Sequence, residues 1–121
     1  MAMTQSLLTG VTGLKGSQFS LDVVGNNLAN IGTVGFKASR VGFADLLSQS
    51  LFSAQGSDAA ANRGGINPGA VGTGLGVASA DATFTQGTLI VSGNPTDLAL
   101  QGDGFFILNS GTDRVYTRAG S

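Results

Sequence analysis

Near the N-terminus the apolar positions return in alternating steps of four and three, at Leu7, Val11, Leu14, Gln18, Leu21, Gly25 and Leu28. This is a heptad seam with two soft spots, Gln18 and Gly25, and it predicts a long helix able to form a coiled coil. Leu8, Phe19, Val23 and Val24 widen the stripe beyond what one partner helix would cover. Gly10, Gly13, Gly16 and Gly25 lie in the same segment, and each costs about 1 kcal/mol relative to alanine inside a helix. Alone in water the segment is therefore expected to be largely unfolded. An amphipathic helix seated on its own domain's core is the simpler alternative. Against it, nothing later in the chain reads as a second long helix, so the seam needs partners from elsewhere.

The heptad pattern stops at Leu28, inside the run GNNLANIGTVGFK at 25–37. Asn26, Asn27 and Asn30 straddle the stop, where the last helical carbonyls need donors and the chain must turn. Asparagine both donates and accepts, and it tolerates left-handed backbone. Gly32 and Gly35 then permit sharp paths before Phe36. A plain helix end needs one asparagine and one glycine; several of each stand here.

Beyond the turn the pattern changes twice. FADLLSQSLF, from Phe43, has the spacing of a short helix, with Phe43 and Leu47 on one face. From Ser48 to Gly76 the residues are mostly Ser, Ala, Gly, Gln and Asn, with a small apolar patch at Leu51 and Phe52. Such a stretch reads as an extended linker, because its own burial cannot offset the entropy of ordering it. After Gly76 the period becomes strand-like: VASADATFTQ, TLIV, DLAL, FFIL and RVYT are separated by SGNPT, QGDG and NSGTD, which carry turn chemistry. The expected fold is α+β: 1–36 axial helix and turn, 37–76 short helix and linker, and 77–121 the start of an antiparallel β region, read as a meander whose sheet is incomplete.

Composition removes most chemistry. Charged residues make up only 11% of the chain, against about a quarter in ordinary soluble proteins. There is no glutamate to support a helix surface, and a net charge of −1 with scattered basic residues leaves no footprint for nucleic acid. The chain has no cysteine and no histidine, so thiolate sites, imidazole bases and the usual transition-metal ligands are excluded. Asp81, Asp97, Asp103 and Asp113 remain as carboxylates for an enzyme or sugar-binding domain, but turn and surface roles explain all four. GTGLG at 72–76 lacks the further glycine, the following helix and the lysine of a phosphate loop. Asp103 in GDG lacks the spaced acidic ligands of a calcium site. Neither catalysis nor a cofactor is expected.

No apolar run suggests a membrane span, and MAMTQSLLTG lacks the basic and apolar blocks of a secretory signal. The polar face of the helix, with Lys15 and Asp22, is too weakly charged to attract an anionic lipid surface. Membrane insertion is not expected.

At GNNLANIGTVGFK the sequence resembles the N-terminal signature of the flagellar rod and hook family, with Ala29, Asn30, Thr33, Gly35, Phe36 and Lys37 matching its core. LDVVGNNLAN resembles the end of the family's N-terminal helix, and TDLALQGDGFFILNSGTDRVYTRAG at 96–120 is similar to the segment opening its β-rich domain. Within the family, SRVGFADLLSQSL and the stretch from NRGGINPGAV to GDGFF look like hook-type subunits with a longer linker; the distal-rod type shares the framework. The resemblance implies a structural subunit that polymerises into a curved tube carrying torque from rod to filament. It implies helices lining the inner tube and partners among identical copies, rod, hook-cap and hook–filament junction proteins. It also implies export through the flagellar type III apparatus without a cleaved signal, Phe43 and Leu47 resembling a gate-contacting pair, and a place outside the cell. In the family the sheet continues beyond YTRAGS and a second helix pairs with the first, so a longer subunit is expected.

Overall fold

The computed structural model describes residues 2–121. Helix α1 spans Ala2–Ala29, ending one residue past Leu28, where the heptad stops. Six strands follow among the described residues: β1 Ser39–Asp45, β2 Ser48–Phe52, β3 Gly69–Gly72, β4 Leu75–Ala82, β5 Phe106–Ser110 and β6 Asp113–Thr117. β1 pairs with β4, β2 with β3, and β5 with β6. A long N-terminal helix followed by short antiparallel strands is the α+β class that the residue pattern predicts.

Three local expectations need correction. The segment from Phe43 is not a short helix, because Phe43 lies in β1 and residues 48–52 form β2. Two uncapped helical turns without charge pairs would leave their backbone groups open. As a strand, Ser48, Gln49, Ser50 and Phe52 instead stand opposite Gly72, Val71, Ala70 and Gly69. The Ser48–Gly76 stretch, read as an extended linker, likewise folds back on itself. Beyond β2 and β3 it carries two further bridges, Gln55 with Ile66 and Asp58 with Arg63. At its tip the Ala60 N–H donates to Asp58 Oδ1 at 3.0 Å, and Asn62 takes a left-handed φ of 50°. Finally, TLIV and DLAL are not strands, and the meander reduces to the single hairpin β5–β6. Strand propensity is expressed only beside a neighbour to bond to, and none of the six strands pairs with either run.

The chain divides into two compact units, Met1–Leu21 with Val41–Ala80, and Asp22–Arg40 with Asp81–Ser121. In the first unit α1 meets the strands through small and polar residues. The Thr12 hydroxyl donates to Thr9 O at 2.7 Å and accepts from the Leu75 N–H at 3.3 Å. The Thr9 hydroxyl reaches Gln5 O at 2.9 Å and Thr73 O at 3.3 Å, and Gln5 Nε2 donates to Gln49 Oε1 at 2.8 Å. Gly16 is buried, and a Cβ there would lie 2.5 Å from Leu75 Cδ1 and 3.4 Å from Phe43 Cε1. The sequence reading treats this glycine as a weak point, yet it is where Leu75 approaches the helix. Thr12→Val keeps the shape but leaves the Leu75 N–H without its acceptor. The expected loss is about 1 kcal/mol, measured as faster hydrogen exchange at the Leu75 amide.

In the second unit the β5–β6 hairpin is in register from Phe106 opposite Thr117 to Ser110 opposite Asp113. Arg118 organises the loop before it. Nη1 donates to Gly102 O and Gly104 O, both at 2.8 Å, and Nη2 to Gln86 Oε1 at 3.1 Å. The guanidinium also lies 6.0 Å from the centre of the Phe105 ring, which meets Phe84 edge-on at 6.1 Å.

No apolar residue among those described is fully buried. Hydrogen bonds and backbone crossings hold these elements, and the apolar side chains that would ordinarily form a core face outward.

Candidate assembly surface and signature turn

The less exposed positions of α1 include Thr9, Gly13, Gly16, Ser20, Val23 and Asn27, continued by Asn30 just past its end, and they too alternate in steps of four and three. They form a second heptad, two positions out of phase with the first. At about 100° per residue, two positions place the stripes about 160° apart, on opposite sides of the helix. Apart from Val23, which the residue pattern assigns to the apolar stripe, this less exposed stripe is small and polar; the apolar heptad lies on the exposed side. Leu14 is 72% and Leu21 70% exposed, and Leu7, Val11, Gln18, Gly25 and Leu28 are exposed as well. The alternative of an amphipathic helix on its own core therefore does not describe α1, since the face it turns inward is the polar one. Sequence reasoning followed the apolar period and missed the second stripe, whose signal was present at the same spacing in threonine, serine, glycine and asparagine.

At the C-terminal end of α1 each asparagine has separate work. Asn26 O accepts from the Asn30 N–H at 3.2 Å and from Asn30 Nδ2 at 2.8 Å. Asn30 Nδ2 also donates to Asn26 Oδ1 at 2.9 Å, and Asn30 Oδ1 accepts from the Thr33 hydroxyl at 3.1 Å. These bonds satisfy carbonyls that the helix end would leave open, with Ala29 as the last helical residue. Asn27 reaches out of the helix instead: its Nδ2 donates to Ser39 O at 2.8 Å and its Oδ1 accepts from the Ser39 N–H at 3.0 Å.

The rest of the signature bonds to the β-rich segment. Gly35 has φ +73°, and a Cβ there would lie 2.8 Å from Ala119 N and 2.9 Å from Arg118 C. The half-buried Phe36 follows. Lys37 Nζ donates to Thr85 O at 2.8 Å, and the Thr83 N–H donates to Ala38 O at 2.8 Å. Phe43 sits in β1, and Leu47, just past its end, is 88% exposed. The spacing that a helix would align is carried here by a strand and the two-residue connection after it.

No group of His, Cys, Asp or Glu among the described residues is placed to hold a metal ion. Asp81 lies in β4, Asp97 follows a turn, Asp103 sits between the two glycine carbonyls held by Arg118, and Asp113 opens β6. No helix among the described residues is long and apolar enough to cross a membrane.

The family described as "Flagella basal body rod protein" matches residues 7–37, the apolar heptad and signature turn together. The chain is 49% identical over 98% of its length to the flagellar hook protein FlgE of Borreliella burgdorferi, and 47% identical over 98% to FlgE of Treponema pallidum. It is also 44% identical over 98% to the flagellar basal-body rod protein FlgG of Bacillus subtilis. This chain belongs to the flagellar rod and hook family. It corresponds to the family's N-terminal portion, spanning 26% and 25% of the two hook proteins and 44% of the rod protein.

Proposed function

We propose that the chain is part of a flagellar hook subunit, polymerising with identical copies into a curved tube that transmits torque from the rod to the filament. The observation that carries this reading is the exposed heptad from Leu7 to Leu28. It bears no charge, is turned away from the chain's own strands, and is continuous with the signature turn of a family whose members are named for flagellar hook and rod. An exposed apolar face of this length is an interaction surface. Copies joined by contacts that do not close on themselves extend into a helical array. The paired helices would make the inner wall, while residues 48–76 reach between neighbours and the β-rich segment lies further out. Two of the hook relatives stand at 49% and 47% identity, beside a rod relative at 44%, and this favours the hook. The distal rod is the second reading, favoured by that same rod relative.

The partners on this proposal are further copies, then rod, hook-cap and hook–filament junction proteins. Passage through the type III export apparatus delivers the subunit to the outside of the cell. Phe43 and Leu47 would serve as the gate-contacting pair while the chain is still unfolded. No cofactor, nucleic acid or membrane insertion forms part of this proposal.

Negative-stain microscopy of the polymerised protein tests the reading. Short curved tubes are expected; straight tubes would favour the rod, and no polymer would overturn both. Deleting residues 56–66 removes the tip of the folded-back stretch and should change tube curvature or stiffness while leaving export intact. Micrographs of deletion strains with unaltered hooks would count against a role for that stretch in bending.

A further inference from the structure

The Asn27 side chain makes two hydrogen bonds to the main chain of a single residue, with Ser39 N–H and C=O both engaged. That is the exchange two residues make in the hydrogen-bonded pair of an antiparallel sheet. Here a side-chain amide plays one of the two peptides. The pattern of the next residue fixes the direction: Ala38 O accepts from Thr83 N–H, and backbone groups alternate in direction along an extended strand. Ser39 N–H and O therefore point away from Thr83, toward the last turns of α1, and Asn27 covers them. Ser39 is also the first residue of β1, and both partners are half-buried.

We infer that Asn27 is a positioning residue: its amide stands in for a strand opposite Ser39 and thereby sets the path by which the chain leaves α1 and enters β1. The inference rests on the assembly reading only in its purpose, which is to hold the end of the apolar face and the start of β1 in one arrangement as subunits pack. No other side chain type serves equally well. Leucine has the shape without the bonds, serine lacks the reach, and glutamine carries the amide one methylene too far. Aspartate keeps the acceptor for Ser39 N–H but sets a second oxygen against Ser39 O.

That last substitution provides a test that a merely structural role would not answer. In Asn27→Asp the ionised carboxylate repels Ser39 O, while the protonated acid donates a hydrogen to it and restores the pair. The closed latch favours the protonated form, so the folded-state pKa is raised above the ordinary aspartate value. The latch is present below that value and lost as pH rises through it. The wild type, in which Asp22, Lys37, Arg40, Asp81 and the other charged groups are the same, controls for any effect of pH on them.

The measurement is the hydrogen-exchange protection of the Ser39 amide, corrected for intrinsic rates, at about pH 3 and about pH 7, on either side of ordinary aspartate. The Leu108 amide in the β5–β6 hairpin is the internal reference. We expect protection at Ser39 to fall roughly tenfold in Asn27→Asp at the higher pH, the worth of about one neutral hydrogen bond, and to recover at the lower, with Leu108 unmoved. Ser39 protection that ignores both the substitution and the pH would overturn the latch. Should the variant fail to fold, the wild type still decides: a through-hydrogen-bond coupling between the Ser39 nitrogen and the Asn27 side-chain carbonyl supports it, and its absence overturns it. Microscopy in parallel separates the two readings. A pH-responsive Ser39 in a protein that never polymerises upholds the latch and removes the tube, whereas tubes with an indifferent Ser39 do the reverse.

Discussion

Leu14→Asp, or Leu21→Asp, is expected to abolish polymer formation while leaving the folded subunit unchanged. Both leucines lie on the exposed apolar stripe of α1. In a polymer each would be enclosed by neighbouring helices, where burying a leucine contributes about 1.5 to 3 kcal/mol. An aspartate there loses that contribution and adds an ion with no partner in the heptad, a penalty of several kcal/mol per contact. Because every subunit repeats the contact, the effect multiplies along the tube. Sedimentation should show monomer only, while circular dichroism and the exchange protection of Leu75 and Ser39 match the wild type. Tubes forming normally from either variant would remove the apolar heptad from the assembly interface.

Gly35→Ala should have the opposite signature, damaging the subunit itself. The added methyl faces two obstacles. Its φ of +73° is strained for an L-residue, costing about 1 to 2 kcal/mol. The new Cβ would also stand 2.8 Å from Ala119 N and 2.9 Å from Arg118 C, main-chain atoms that cannot rotate aside as a side chain can. The crossing must open, displacing the end of β6 and the Arg118 guanidinium that holds Gly102 and Gly104. A combined loss of about 3 kcal/mol or more is expected. It should appear as collapse of exchange protection across β5 and β6 while Leu75 stays protected. A variant with an intact hairpin would show that the crossing yields more easily than its distances imply.

These two substitutions bracket what the residue pattern disclosed. The long helix, its end at Leu28–Ala29 and the use of asparagine to finish it were legible, because heptad spacing and capping chemistry are local. The strands at FFIL and RVYT were legible for the same reason: NSGTD supplies the turn between two runs of equal length. By contrast, the pairings β1–β4 and β2–β3 join residues far apart in sequence, and a composition rich in serine, alanine and glycine gave no sign that the Ser48–Gly76 stretch folds back. The glycines were misread in part. Propensity assigns Gly16 a cost, but only the partner Leu75 reveals the close approach it permits. Arg118 was invisible as an organiser, since its acceptors are backbone carbonyls, which every residue possesses.

One helix carrying two stripes out of phase has a consequence for how such a protein can change over generations. Residues that keep the single molecule in shape, among them Thr9, Thr12, Gly16 and Asn27, sit on one flank, and residues available to its neighbours sit on the other. Drift on the outward flank can retune how copies join without unsettling the molecule that must first arrive intact. One sequence segment thus answers to two separate pressures.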